Sequence, residues 1–353
     1  MIKEKENVRS LKRMRHDYDT RLDRIRLGAN EYVPSMPKDL YVKLMNSFNI
    51  EKASAYPEYN IAYQALAKYL KVSRDNILLS SGADMAIQAV FQTFCTQGDR
   101  VLTCAPTFGM YRVYATLANC EFIEVLSDSE GGFSMDELVS YDYCDVRLVI
   151  LANPNGNTGH CFSMDEISRL LETTALTDTV TVIDEAYVDF GSVDTSTLIR
   201  KFRNLVVIRS FSKSIGMAGI RIGYIIAAEE LINMIEKFKP MEEINSLAVE
   251  AIKVICSNDF YIKDAVNEII SSRKYFTQTM RELGYSVIER HGNFVLVNFK
   301  EQRKQMEEVF DRNLIEYKIF SGVLKNFMRL TIAKKSVMDY VINIIRQQRE
   351  ENN

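Results

Sequence analysis

The chain has 353 residues, 47% of them hydrophobic and 26% charged, with a formal net charge of −3. That length can bury a large core, and two lobes are expected. The small net charge argues against non-specific nucleic-acid binding as the main task, and no apolar run reaches transmembrane length.

The first 26 residues lean basic with mixed charge, as expected of a solvated arm or helix without a signal peptide. The segment 27–37 (LGANEYVPSMP) is punctuated by one glycine and two prolines and predicts an ordered turn. Tyr56-Pro57 disfavours helix at Tyr56, and helical spacing of apolar residues starts at Ile61. Ile77 to Leu79 predict a short buried strand, and Ile87, Val90, Phe91 and Phe94 predict a helix from Ala86. The turn Ser81-Gly82-Ala83-Asp84 between them offers free backbone N–H groups at a helix N-terminus, which suits a phosphate. The scheme repeats in Val101–Cys104, the turn 106–109 and a helix, with Phe108 placed to stack on a flat ring. Two copies of FSMDE, at 133–137 and 162–166, are Ser-x-x-Glu capping boxes that open helices.

A strand over Leu148–Leu151 ends in the turn NPNGNTG, and another over Val180–Ile183 ends in Asp184. A carboxylate at the C-terminal end of a parallel strand faces the crevice where α/β proteins bind ligands, and Tyr187 follows three residues on. Strands over Leu205–Ile208 and Ile222–Ala227 flank SFSKSIGMAGIR. A lysine between two core strands is either buried and paired or does chemistry. With Ser210, Ser212 and Arg221 nearby, Lys213 suits a Schiff base to an aldehyde whose phosphate is held by hydroxyls and a guanidinium. Beyond Pro240, helices over 242–256 and 259–283, three short strands (YSVIE, NFVLVNF, FMRLTIA) and a helix over 337–346 are expected. Arg329, among apolar neighbours in the last strand, needs an anionic partner: an internal salt bridge or a ligand. Six cysteines without a C-x-x-C pair, and three histidines without zinc-site spacing, point to reduced thiols in a cytoplasmic setting.

The S-x-S-K loop followed by G-x-R-x-G resembles the lysine loop of fold-type I pyridoxal 5′-phosphate (PLP) enzymes of the class I/II aminotransferase group. The series as a whole resembles histidinol-phosphate aminotransferases and their relatives. Asn30-Glu31 match the start of the subgroup's N-E-N-P segment, and the N-P is missing. Gly82, Ala83 and Asp84 match the phosphate cup G-[AS]-D-E-[AG]-I, with Met85 in place of the Glu. Phe108 matches the aromatic that covers the pyridine face. D-E-A-Y matches closely, which gives Asp184 the pyridine nitrogen and Tyr187 the ring's phenolic oxygen. The signature N-P-N-N-P-T-G is altered to NPNGNTG. Gly156 stands where the family's asparagine bonds the cofactor oxygen, so Asn155 or Asn157 is expected to substitute.

The resemblance implies an α/β fold. A large PLP-binding domain (46–239) with a mostly parallel sheet flanked by helices joins a smaller α+β domain (240–353), and residues 1–45 form an arm and part of the small domain. It implies Lys213, Asp184 and Tyr187 as catalytic residues, and Ser210, Ser212, Arg221 and Tyr56 as further cofactor contacts. Arg329, Lys318, Asn30 and Tyr56 are the expected substrate contacts, Lys318 standing for an arginine usual in the subgroup. A homodimer is implied, with Tyr56 reaching the other subunit's cofactor phosphate. The implied activity is transamination of a small phosphorylated or anionic amine or amino acid with a 2-oxo acid acceptor. The alternatives are a PLP-dependent decarboxylase of a phosphorylated amino acid, such as threonine phosphate decarboxylase, and a non-catalytic PLP-fold binding protein, against which Lys213 stands.

Overall fold

The computed structural model describes residues 2–9, 11, 20–33, 35–191 and 193–351. Residues 12–19 of the expected N-terminal arm lie outside that set. The seven strands of the larger sheet are β1 (Ile77–Ser80), β2 (Arg100–Ala105), β3 (Glu121–Leu126), β4 (Val146–Ala152), β5 (Val180–Asp184), β6 (Leu205–Ser210) and β7 (Gly223–Ala227). Their order is β1-β7-β6-β5-β4-β2-β3, and only β7 runs against its neighbours. The central strands are rich in Val, Ile and Leu because both faces are covered by helices. Their residues alternate between two core layers. Val206 and Ile208 pack on one side with Val182, and Leu205 and Val207 pack on the other with Ile183.

This topology sets the site. The C-terminal ends of β1, β2, β4, β5 and β6 open on one edge, and each leads into one of the turns singled out in the sequence. The helix expected from Ala86 already begins at Gly82, so the phosphate turn is that helix's own first turn. The helix expected from 242 begins at Ser246, because Asn245 Oδ1 accepts the Ala248 N–H (2.8 Å) as its N-cap. Both FSMDE segments open helices as expected, each with a serine cap, and the reciprocal glutamate bond is present at Ser163–Glu166.

The second sheet is antiparallel, β10 (Lys318–Ile319), β11 (Phe327–Thr331), β9 (Phe294–Asn298) and β8 (Ser286–Ile288) in spatial order. The helix Phe260–Glu282 packs on it, and the helix Lys335–Glu351 packs on that helix. The N-terminal segment is sewn into this lobe. Ile25 pairs with Ile315, and the Leu27 carbonyl accepts from the Thr331 N–H (2.9 Å). Residues 28–30 are thereby delivered to the mouth of the larger sheet. Among the described residues no helix is long and apolar enough to cross a membrane.

Candidate active site

The phosphate turn is built on two glycines. Gly82 has φ +79°, and a Cβ there would stand 2.3 Å from Arg221 Nη2. Gly223, at the start of β7, lies so close that its Cβ would meet the Gly82 carbonyl carbon at 2.3 Å and Ala83 N at 2.4 Å. Only bare backbone on both sides lets β7 press against the helix's first turn. The N–H groups of Gly82, Ala83 and Asp84 have no acceptor within the helix, as for any first turn. The Asp84 carboxylate is engaged by the Tyr114 hydroxyl (2.9 Å), so the backbone is what this turn presents. Ser210 and Ser212 sit beside it with their hydroxyl oxygens 2.8 Å apart. A concentration of N–H groups, hydroxyls and a guanidinium fits a phosphate.

Asp184 closes β5 and is buried, 6% exposed. Its Oδ2 accepts from the Tyr111 hydroxyl (2.6 Å) and its Oδ1 from the Ala186 N–H (3.1 Å). Burial pushes its carboxyl above the ordinary range, opposed first by the Tyr111 bond and also by the charge of Lys213. A carboxylate held without a contacting cation is suited to a protonated ring nitrogen. Tyr111 is the last residue of P-T-F-x-x-Y. Its place in that motif was the available signal, and its bond to Asp184 appears only in the fold. Phe108 stands half open at the site's edge (44% exposed), its ring edge-on to Tyr111 at 5.7 Å.

Lys213 Nζ donates to the Ala29 carbonyl (3.0 Å) and lies 5.8 Å from the centre of the Tyr187 ring. The Tyr187 hydroxyl accepts from Asn30 Nδ2 (3.0 Å), which also donates to the Gly156 carbonyl (2.9 Å). Asn155 is spent in its own turn. Its Oδ1 accepts from the N–H groups of Asn157 (2.8 Å) and Thr158 (3.0 Å), and its Nδ2 donates to the Pro106 carbonyl (3.0 Å). Asn157 Nδ2 donates to the Thr107 carbonyl (2.6 Å).

Arg329 is 7% exposed. Its Nη1 donates to the Gly156 carbonyl (2.6 Å) and Asn157 Oδ1 (2.8 Å), and its Nη2 to the Gly28 carbonyl (2.7 Å). Its Nε is buried with no hydrogen-bond partner among the described residues, and no carboxylate there pairs with it. Burial pulls its pKa down, with Tyr187 acting in the opposite sense. The internal salt bridge left open by the sequence is therefore not formed among the described residues. Lys318 on β10 is directly opposite Arg329 in the antiparallel register, exposed and on the same sheet face.

Three consecutive residues, Gly28, Ala29 and Asn30, thus touch Arg329, Lys213 and Tyr187 respectively. The first two act through their carbonyls, which no residue type advertises. Glu185 was also missed. Fully buried behind Asp184, it accepts from Thr195 N (2.7 Å), Thr195 Oγ1 (2.6 Å) and Arg209 Nε (2.8 Å), and it anchors the end of β5 to β6. Tyr56 stands apart from this constellation, 81% exposed in the turn before the helix Tyr59–Leu70.

Residues 23–345 match the family described as aminotransferase class I and II. The chain belongs to that family. Histidinol-phosphate aminotransferase 1 of Carboxydothermus hydrogenoformans is 31% identical over 312 residues, 88% of each chain. The histidinol-phosphate aminotransferase of Sinorhizobium meliloti, solved with pyridoxal-5′-phosphate, superposes with a TM-score of 0.87 over 99% of both chains at 20% identity. The L-threonine-O-3-phosphate decarboxylase of Porphyromonas gingivalis superposes with a TM-score of 0.80, covering 92% of this chain and 99% of its own, at 24% identity. This aminotransferase uses pyridoxal 5′-phosphate, and its residues fit that group: a cradle of bare backbone for a phosphate, Asp184 for a ring nitrogen and Lys213 for an aldehyde.

Proposed function

We propose that this enzyme transaminates a small phosphorylated or otherwise anionic amine or amino acid and passes the amino group to a 2-oxo acid. Arg329 carries the reading: among the described residues it is a buried guanidinium with neutral acceptors only and an unpartnered Nε, and a second cation, Lys318, is paired beside it in register. Like charges directly opposite across a sheet are unfavourable, and an anion between them removes that cost. Bound PLP supplies an aldehyde for the substrate's amino group and a ring that takes up electrons freed at Cα. With it bound, Lys213 would take the Cα proton and return it at C4′. Asp184 holds a proton on the ring nitrogen, with Tyr111 keeping its carboxylate oriented. With PLP bound, Tyr187, steadied by Asn30, would face the phenolic oxygen, Phe108 would cover the ring, and Gly82–Asp84, Ser210, Ser212 and Arg221 would hold the phosphate. Tyr56, exposed and without a role in its own chain's site, supports a homodimer in which it completes the partner's phosphate site. The setting proposed is cytoplasmic.

The likeness to a phosphothreonine decarboxylase keeps a second outcome in view. Were Arg329 to hold a carboxylate, the Cα–H bond would be the one left to break, its proton passing to Lys213. Were it to hold a phosphate, the substrate's carboxylate would be left unanchored and could leave as carbon dioxide. The test mixes PLP-loaded enzyme with histidinol phosphate, phosphoserine, phosphothreonine and glutamate, and measures pyridoxamine phosphate and carbon dioxide separately. Pyridoxamine phosphate with a keto product is expected. Carbon dioxide without one overturns transamination.

A further inference from the structure

Arg329 offers five N–H groups, and the three bonds it makes all end on neutral oxygens. Two of those oxygens are backbone carbonyls, and the only side chain is Asn157. That amide is itself clamped. Its Nδ2 is fixed to the Thr107 carbonyl (2.6 Å), and its N–H is fixed to Asn155 Oδ1 (2.8 Å). Asn157 therefore ties the turn carrying Phe108 to the strand carrying Arg329. Position 156 cannot do this, because a Cβ there would stand 2.7 Å from Tyr187 Cε2. A neutral acceptor orients a guanidinium without spending its charge, whereas a carboxylate at the same place would neutralise it.

Resting on the reading of Arg329 above, we infer that Asn157 is the positioning residue of the anion site. It holds Arg329 by Oδ1 and sets the affinity for the substrate's oxyanion, carboxylate or phosphate. The probes are maleate and inorganic phosphate, titrated by calorimetry into PLP-loaded enzyme, with thermal melts recorded alongside. Asn157→Ala is expected to weaken binding about tenfold, the scale of one hydrogen bond to a charged group. Asn157→Asp keeps an acceptor in place but pairs Arg329 internally. It is expected to weaken binding about a hundredfold, well beyond Asn157→Ala, although both variants lose the bond to the Thr107 carbonyl. A merely structural role would make affinity follow melting temperature in both variants. Near-parental binding by Asn157→Asp, with binding lost in Arg329→Leu, overturns the role of Asn157 alone. Undiminished binding by Arg329→Leu, or no binding of either probe by the parent, overturns the reading of Arg329 itself. The tighter probe tells carboxylate from phosphate.

Discussion

Restoring a side chain at position 156 should harm this enzyme, although an asparagine there is the family habit. In Gly156→Ala the new Cβ would lie 2.7 Å from Tyr187 Cε2 and 3.1 Å from its hydroxyl. Carbon contacts settle at about 3.5–4.0 Å, so the ring must retreat by roughly 1 Å. Tyr187 has little room to do so. Its hydroxyl is bonded to Asn30 Nδ2 at 3.0 Å, and its ring meets Phe294 edge-on at 6.0 Å. Overpacking of this kind costs about 1–3 kcal/mol. Losing the Asn30 bond as the ring moves adds about 1 kcal/mol, so Gly156→Asn should cost roughly 2–4 kcal/mol. Urea unfolding of parent, Gly156→Ala, Gly156→Asn and a Tyr187→Ala pair provides the measurement. In the Tyr187→Ala background the cost of Gly156→Ala should vanish, because the clash has no second party. If Gly156→Asn unfolds within about 0.5 kcal/mol of the parent, or the Tyr187→Ala background leaves the cost intact, the steric argument is wrong.

Three further expectations can be checked directly. Lys213→Ala should lose both turnover and the visible absorbance of lysine-bound cofactor, and a borohydride-reducible lysine adduct in the variant would sink the assignment. Glu185→Ala leaves Asp194 as the one ion-pair partner of Arg209 among the described residues and strands the Thr195 donors, and it should cost about 3–5 kcal/mol in denaturant melts. Adding Arg209→Met should recover most of that, and no recovery would mean that the pair is not the cause. His160 is packed edge-on between Phe133 (5.3 Å) and Phe162 (4.6 Å), and burial pushes its imidazole down to about 4. Above pH 6.5 it is neutral both folded and unfolded. From there down to about pH 4 only the unfolded chain takes the proton, so stability should fall by up to about 3 kcal/mol. His160→Phe should flatten that slope, and an unchanged slope between pH 7 and pH 4.5 would refute the account.

By itself the sequence determined the buried strands, because runs such as Leu205–Ile208 are apolar at every position and can only be covered on both sides, whereas the edge strand β3, buried only at Val125, was not read. It also placed the turns at the strand ends, since glycine, proline, serine and asparagine act through their own backbone. Lys213, Asp184 and Arg329 were legible for the same reason: a charge inside an apolar run must find a partner or a task wherever it is buried. The start of the helix at Ser246 was missed because Asn245 is one capping residue among several polar candidates. Only the tertiary structure decided how the two asparagines divide their work. Asn155 meets its own turn, while Asn157 meets Arg329 from 172 residues away. Only the fold could bring the Gly28 carbonyl to Arg329, 301 residues further along the chain. Such contacts depend on the register of β11 against its neighbours and on the path of the N-terminal segment across them. A backbone carbonyl carries no residue-specific signal, so its use at a site becomes visible only once the strands have met.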